Sequence, residues 1–357
     1  MQKKIIIKAL FIFLLFISIT TLSLADEPTI YSEAAILIDS KDGTVIYEKN
    51  SNERMYPAST TKILTAIIAL ESCSLNEKAT ASETAINSIK SGYTTANIQI
   101  GETLSMRDLL YALLIKSANE AANVIAEHIA GSTDNFANMM NAKALELACT
   151  DTHFVNANGV HDDNHYSTAS DMAIIAKYCM KNPIFREMVA TKYYTLPATS
   201  QYPNNDRLLK NSNSLLFPEH TYYYPYAIGM KTGFTSEAKN CLITASKKGD
   251  LELISIVLHA EQTEDGKSAR YCDTINLLEY GNNNYTPHYT EEINETDIDS
   301  QELTEEQELI MSNKKANNSQ LTGFYIFAST GMLIVLVLVF EANKYLLKKD
   351  GIRYWNP

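Results

Sequence analysis

The chain has 357 residues, 45% of them hydrophobic and 20% charged, enough for one large domain or two ordinary ones with a substantial core. Its formal net charge of −12 is partly local, because nine acidic residues and no Lys or Arg lie between Glu291 and Glu308. No basic patch points to a nucleic-acid partner.

Lys3, Lys4 and Lys8 precede an apolar run from Ala9 to Leu22, closed by Ser23-Leu24-Ala25 and then Asp26. Charge, apolar segment and small-residue site in that order predict a secretory signal peptide over residues 1–25. An uncleaved anchor helix is the alternative, although the run is short for spanning. Ala34-Ala35-Ile36-Leu37-Ile38 reads as a buried strand, Ser40-Lys41-Asp42-Gly43 as a turn and Thr44-Val45-Ile46-Tyr47 as the returning strand. Helical periodicity follows from about Thr60 to Leu70, from Met106 to Ile129, from Phe136 to Leu147 and from Ser170 to Tyr178. Asp171 falls in the first turn of the last of these, where the helix dipole favours it. Strands return at Ala227–Met230, Cys241–Ala245 and Leu251–Leu258, and a closing helix covers roughly Arg270 to Tyr280. This order specifies an α+β fold, an antiparallel sheet with a helical cluster packed around it.

Residues 286–320 then read as an acidic, polar linker that cannot bury enough apolar surface to fold alone. Leu321 to Phe340 carries no charge, and about 20 such residues cross a hydrocarbon core as a helix. Lys344, Lys348, Lys349 and Arg353 outweigh Lys314 and Lys315. Residues 341–357 are therefore expected as a basic cytoplasmic tail, and residues 26–285 as an extracytoplasmic catalytic domain.

The five cysteines, Cys73, Cys149, Cys179, Cys241 and Cys272, are odd in number and form no CxxC. Mostly free, buried thiols are expected, with one bridge open. His153, His161, Asp162, Asp163 and His165 match no standard metal-ligand spacing and read as a structural loop. Tyr222-Tyr223-Tyr224-Pro225-Tyr226 reads as a packed loop before a strand. Glu120 should face away from the Asn119 side if its helix is continuous.

Three short motifs stand in order: Ser59-Thr60-Thr61-Lys62, Ser117-Ala118-Asn119 and Lys231-Thr232-Gly233. Each alone is weak; together, the first at a helix start and the last in a strand, they match the signature of penicillin-binding enzymes and β-lactamases. A serine hydroxyl needs a base within hydrogen-bond reach, and three residues on a helix place Ser59 and Lys62 about one turn apart. A lysine at its reference pKa of about 10.4 is protonated and a poor base. Enclosure, a helix amino terminus and a second cation such as Lys231 all disfavour that charge. Lys62 is thus the expected base.

The wider context, Tyr56-Pro57-Ala58 before Ser59, Leu109 to Leu114 before Ser117, His153-Phe154-Val155-Asn156 with Gly159, His165 to Ala169, and Phe234-Thr235, resembles the D-alanyl-D-alanine carboxypeptidases of the S11 peptidase family. The likeness covers roughly residues 31 to 281. It implies a β-lactamase/transpeptidase-like fold, a peptidoglycan stem peptide ending in D-Ala-D-Ala as substrate, β-lactam antibiotics as covalent inhibitors, and no metal or other cofactor. It assigns Ser117 to relay a proton to the leaving amine and Asn119 to hold Lys62 and the substrate amide. Lys231 and Thr232 would receive the terminal carboxylate, and Gly233 would let the strand approach the substrate. The Ser59 and Phe234 N–H groups would form the oxyanion hole, and Arg270 would lie near the substrate carboxylate. Two departures stand out. Relatives usually carry a second, β-rich domain, and their anchor lies on the membrane surface instead of spanning it.

A class A β-lactamase is disfavoured by Ala118 in the middle of the second motif and by the lack of a glutamate between Thr150 and Asp171. A D,D-endopeptidase acting on cross-links, or a non-catalytic wall-binding protein, remains open.

Overall fold

Strands that bury every residue place this chain's core. In the computed structural model, which describes residues 27–287 and 289, strand β1 (Ala34–Asp39) is buried along its whole length. Its alternate side chains serve two cores, as the period of two dictates. Ala34, Ile36 and Ile38 join the larger cluster with the helices. Ala35 and Leu37 join a smaller one on the opposite face.

Strands β2 (Val45–Lys49), β7 (Ala227–Thr235), β8 (Lys239–Lys248) and β9 (Leu251–Ala260) complete a five-stranded sheet in the order β2-β1-β9-β8-β7, antiparallel throughout. Two short antiparallel pairs are separate: β3 (Lys78–Thr80) with β4 (Thr103–Ser105), and β5 (Tyr193–Thr195) with β6 (Leu208–Lys210). The helices are α1 (Lys62–Ser72), α2 (Glu83–Asn87), α3 (Met106–Tyr111), α4 (Asn119–Ala130), α5 (Thr133–Glu146), α6 (Ala169–Met180), α7 (Pro183–Ala190) and α8 (Ala269–Asn284). Leu277 and Leu278 of α8 cover the second face of the sheet with Leu242, Leu253 and Val257. The α+β expectation therefore holds, with both sheet faces covered.

Helix starts follow the capping chemistry. Ser105 and Asp108 form a reciprocal capping box on α3, Thr168 caps α6 through Asp171 N–H, and Asn182 caps α7 just before Pro183. The single helix expected from Met106 to Ile129 is broken. After α3 the chain takes a π-helical turn over Ala112–Lys116, passes through Ser117 in the left-handed region (φ 68°), and restarts as α4 at Asn119. Periodicity could not register this break, because Leu109, Leu110, Leu113, Leu114, Ala121, Ala122 and Ile125 are buried on both sides of it. A π turn of this kind is the sort of irregularity that marks functional sites.

All five thiols are free, which closes the question of a bridge. The tyrosine loop is packed as expected: Tyr222 stacks on Tyr271 at 4.8 Å between ring centroids, and Tyr224 is buried. The expected signal peptide, nearly all of the linker, the spanning helix and the tail lie outside the described residues. Among the described residues no helix is long and apolar enough to cross a membrane.

Candidate active site

The segment that carries Ser59 begins with Pro57 and with Ala58 in the left-handed region (φ 48°). It runs through a tight 3-10 turn, Ala58–Thr61, directly into α1 at Lys62. Two neighbours hold that turn from outside. Thr61 Oγ1 lies 2.8 Å from His165 Nε2. His165 Nδ1 accepts from Val155 N–H at 3.1 Å, so the ring proton sits on Nε2 and is donated to Thr61. Burial pushes this imidazole down to about 3, so it stays neutral and braces the turn. The second neighbour is Gly159, at φ 77°, where an added Cβ would fall 1.9 Å from the Ala58 carbonyl oxygen.

Lys62 is wholly buried. Its Nζ donates to Ser59 Oγ at 2.8 Å, to Asn119 Oδ1 at 2.9 Å and to the Asn158 carbonyl. Burial holds its pKa well below the ordinary lysine value, the charge of Lys231 depresses it further, and Glu120 opposes the shift. The Lys62 ammonium therefore gives up its proton far more readily than a surface lysine would, 2.8 Å from a serine hydroxyl.

The break between α3 and α4 turns Ser117 and Asn119 toward the same cleft. This cleft, about 650 Å³, is lined by Ser59, Ser117, Asn119, Thr232, Gly233, Phe234 and Arg270 among others. Seven of the nine site residues expected from sequence thus share one surface, and Lys62 lies directly beneath it. The ninth, Lys231, is the exception. It was expected to supply charge for the terminal carboxylate; it is buried and does not line the cleft. Strand alternation sets it on the same face of β7 as Gly233, and its Nζ donates to the Thr232 carbonyl at 2.8 Å. Burial, with the Arg270 charge, pushes Lys231 down to about 7.

Gly233 has a further neighbour that the sequence did not announce. A Cβ there would come within 3.1 Å of Ser59 N and 3.2 Å of the Pro57 carbonyl oxygen. The glycine admits the nucleophile turn, and it also lines the cleft. Thr232 Oγ1 lies 2.6 Å from Ser212 Oγ, while Phe234 is 61% exposed at the cleft. Arg270 lies over the Tyr271 ring at 4.8 Å.

Several groups had no signal in the sequence. Asn158 contributes a backbone carbonyl, which no side-chain motif can announce. The wall segment Ser91-Gly92-Tyr93-Thr94 and Lys210 line the cleft from elements remote in the chain, and Lys116 lines it just before Ser117. Glu120 faces away from the Ser59 cleft, as expected for the residue after Asn119, but not toward solvent. It is buried, because the helix restarts at Asn119 and its first turn packs on the chain at Ala96–Ile98. The only His/Cys/Asp/Glu group with metal-ligand proximity among the described residues is Cys73, Glu77 and His128, which includes no motif residue. His165 lies against Thr61, and His153 Nδ1 lies 2.6 Å from the Asn164 carbonyl oxygen.

The sequence profile of the D-alanyl-D-alanine carboxypeptidases, peptidase family S11, matches residues 21–262. The D-alanyl-D-alanine carboxypeptidase DacF of Bacillus subtilis is 34% identical over 272 residues, 74% of this chain and 66% of that protein. A D-alanyl-D-alanine carboxypeptidase of Streptomyces is 32% identical over 269 residues, 71% of this chain and 88% of that one. Against the DacF relative the chain spans just under two thirds of the length. Among solved structures, a D-alanyl-D-alanine carboxypeptidase of Mycobacterium tuberculosis superposes with a TM-score of 0.65 at 29% identity, over 72% of this chain and 94% of that one. A Streptomyces DD-transpeptidase superposes equally well, with a TM-score of 0.65 at 31% identity over 72% and 99% of the two chains. Profile, relatives and fold agree with the three motifs assembled around Ser59, and the chain belongs to the D-alanyl-D-alanine carboxypeptidase family, peptidase family S11.

Proposed function

We propose that this protein is a serine D,D-carboxypeptidase that removes the terminal D-alanine from peptidoglycan stem pentapeptides through an acyl-enzyme on Ser59, with Lys62 as the base. The observation that carries the reading is the 2.8 Å contact between Lys62 Nζ and Ser59 Oγ, made by a lysine whose burial disfavours its charge. Neutral Lys62 takes the Ser59 proton as Oγ attacks the carbonyl carbon of the penultimate D-alanine. The N–H groups of Ser59 and Phe234 receive the oxyanion, and each such donor is worth about 3–4 kcal/mol in the transition state. The proton passes through Ser117 to the departing amine, the C–N bond breaks, and free D-alanine leaves. Water then adds to the ester, the same groups move its proton, and the shortened peptide is released with Ser59 restored.

Arg270 and Thr232 face the cleft and suit the terminal carboxylate. Lys231 supports them from behind, through the field it adds and through its bond to the Thr232 carbonyl. β-Lactams would acylate the same serine. The charge order at both ends of the sequence supports an exported domain held at the membrane by residues 321–340.

Incubation with a synthetic pentapeptide ending in D-Ala-D-Ala, followed by mass spectrometry, should show loss of one alanine. A labelled penicillin should mark the protein covalently, and Ser59→Ala should abolish both signals. A wild type that neither labels nor trims the peptide would overturn the reading.

A further inference from the structure

Glu120 is a buried acid that the reaction above does not use. It is 2% exposed and is the second residue of α4, where the positive end of the helix favours an ionised carboxylate. Its Oε1 accepts from Ala96 N–H at 2.6 Å and from Ile98 N–H at 3.4 Å. Its Oε2 is buried with no hydrogen-bond partner among the described residues. Asn119, its neighbour, grips the same segment: both its backbone N–H and its Nδ2 donate to the Thr94 carbonyl, each at 3.0 Å. Residues 94–98 are therefore tied to the first turn of α4 by four hydrogen bonds, two of them made by Glu120.

That segment anchors a thin wall. Ser91, Gly92 and Tyr93 line the Ser59 cleft and also line a second cavity of about 360 Å³ behind it, to which Glu120 contributes. With space on both sides, the wall has little packing of its own, and the α4 clamp sets its place. Asn119 connects this clamp to the chemistry, since its Oδ1 accepts from Lys62.

We propose that Glu120 is a positioning residue of the active site, a buried counter-charge in the first turn of α4 that holds the 94–98 anchor of the cleft wall with one oxygen and acts on Lys62 from beside Asn119. The inference rests on the carboxypeptidase reading. The charged groups around Lys62 are Lys231 from β7 and Glu120 from α4, with the neutral His165 on the loop before α6; Arg270 of α8 acts on Lys231. Of these, Glu120 alone opposes deprotonation of the base. Its own pKa is raised by burial, against the pull of the Ala96 and Ile98 N–H groups and of Lys62.

Glu120→Gln keeps an acceptor for Ala96 and Ile98 but removes the charge, whereas Glu120→Ala removes both. Full-length wild type and both variants are compared by labelled-penicillin acylation rates against pH and by KM for the pentapeptide. For E120Q the acid limb should move to lower pH. At the pH where the wild type runs at half its plateau, E120Q should run closer to its own plateau. E120A should show the same displacement with a KM severalfold above that of E120Q. An E120Q profile whose limb coincides with that of an active wild type overturns this proposal alone, and so does a KM shared by the two variants. A wild type that is neither acylated nor active overturns the functional reading and this inference with it. Because E120Q is isosteric, it keeps the test decisive even where E120A fails to fold.

Discussion

Gly159→Ala tests how tightly the nucleophile and its base are held in register. Gly159 follows Asn158, whose carbonyl accepts from Lys62, and it abuts Ala58, which precedes Ser59. A Cβ at position 159 would stand 1.9 Å from the Ala58 carbonyl oxygen, 2.5 Å from its carbonyl carbon and 3.0 Å from Thr61 Oγ1. Ordinary contact lies near 3.5 Å, so the two segments must part by about 1.5 Å. A shift of that size beside the reacting atoms costs about 10²-fold in rate. Holding alanine at φ 77° adds about 1–2 kcal/mol of backbone strain, and overpacking adds about 1–3 kcal/mol more.

The strain and the clash can be separated with Gly131, the C-cap of α4. Its φ is 75° and nothing lies within 4 Å of its would-be Cβ. G131A should lose only the backbone part of the stability and acylate like the wild type. G159A should lose more in thermal melting and about 10²-fold in the second-order rate of labelled-penicillin acylation. The reasoning is refuted if G159A acylates within a few-fold of wild type, or if G131A loses as much.

Lys62→Arg keeps the charge but cannot release its proton near neutral pH, so single-turnover acylation should fall by about 10²–10⁴-fold; near wild-type rates would remove Lys62 from the role of base. Lys231 is pushed down to about 7 from 10.5. The unfolded chain therefore binds more protons than the native one between those values, and stability should rise with pH across that window. Lys231→Met should flatten the rise in Tm, with Lys62 retaining part of it, and an unchanged slope would contradict the burial argument. Arg270→Ala should raise KM for a peptide with a free carboxyl terminus more than for its amide; equal effects would place the carboxylate elsewhere. Protease added to intact spheroplasts should digest the catalytic domain and spare an epitope after Pro357, and protection of the domain would reverse the proposed topology.

Most of the chemistry was legible from sequence because it resides in side chains at short spacings. Ser59 and Lys62 lie one helical turn apart, and β7 carries Thr232, Gly233 and Phe234 as consecutive residues, so local geometry alone brings each set together. The main strands and helices were legible for the same reason. Ala34–Ile38 and Leu251–Leu258 are long apolar runs bounded by turn residues, and their burial follows. The features that escaped were those without a periodic or side-chain signature. The π turn before Ser117 lies within a continuous apolar pattern, and the Asn158 contact uses a backbone carbonyl. Helix α7 and the two short strand pairs are too brief to stand out.

What the sequence determined by itself is the set of reactive groups and the class of fold, since motif identity, spacing and hydrophobic period are local properties of the chain. Only the tertiary structure decided how those groups are tuned. Lys62 is stripped of solvent because β7, α4 and the Asn158 carbonyl close over it. Lys231 withdraws behind the cleft because strand alternation turns it inward. Glu120 becomes a buried clamp because the helix breaks three residues before it. Desolvation and long-range charge depend on what surrounds a group in space, and residues from β7, α4 and the loop before α6 become neighbours of Lys62 only once the chain has folded.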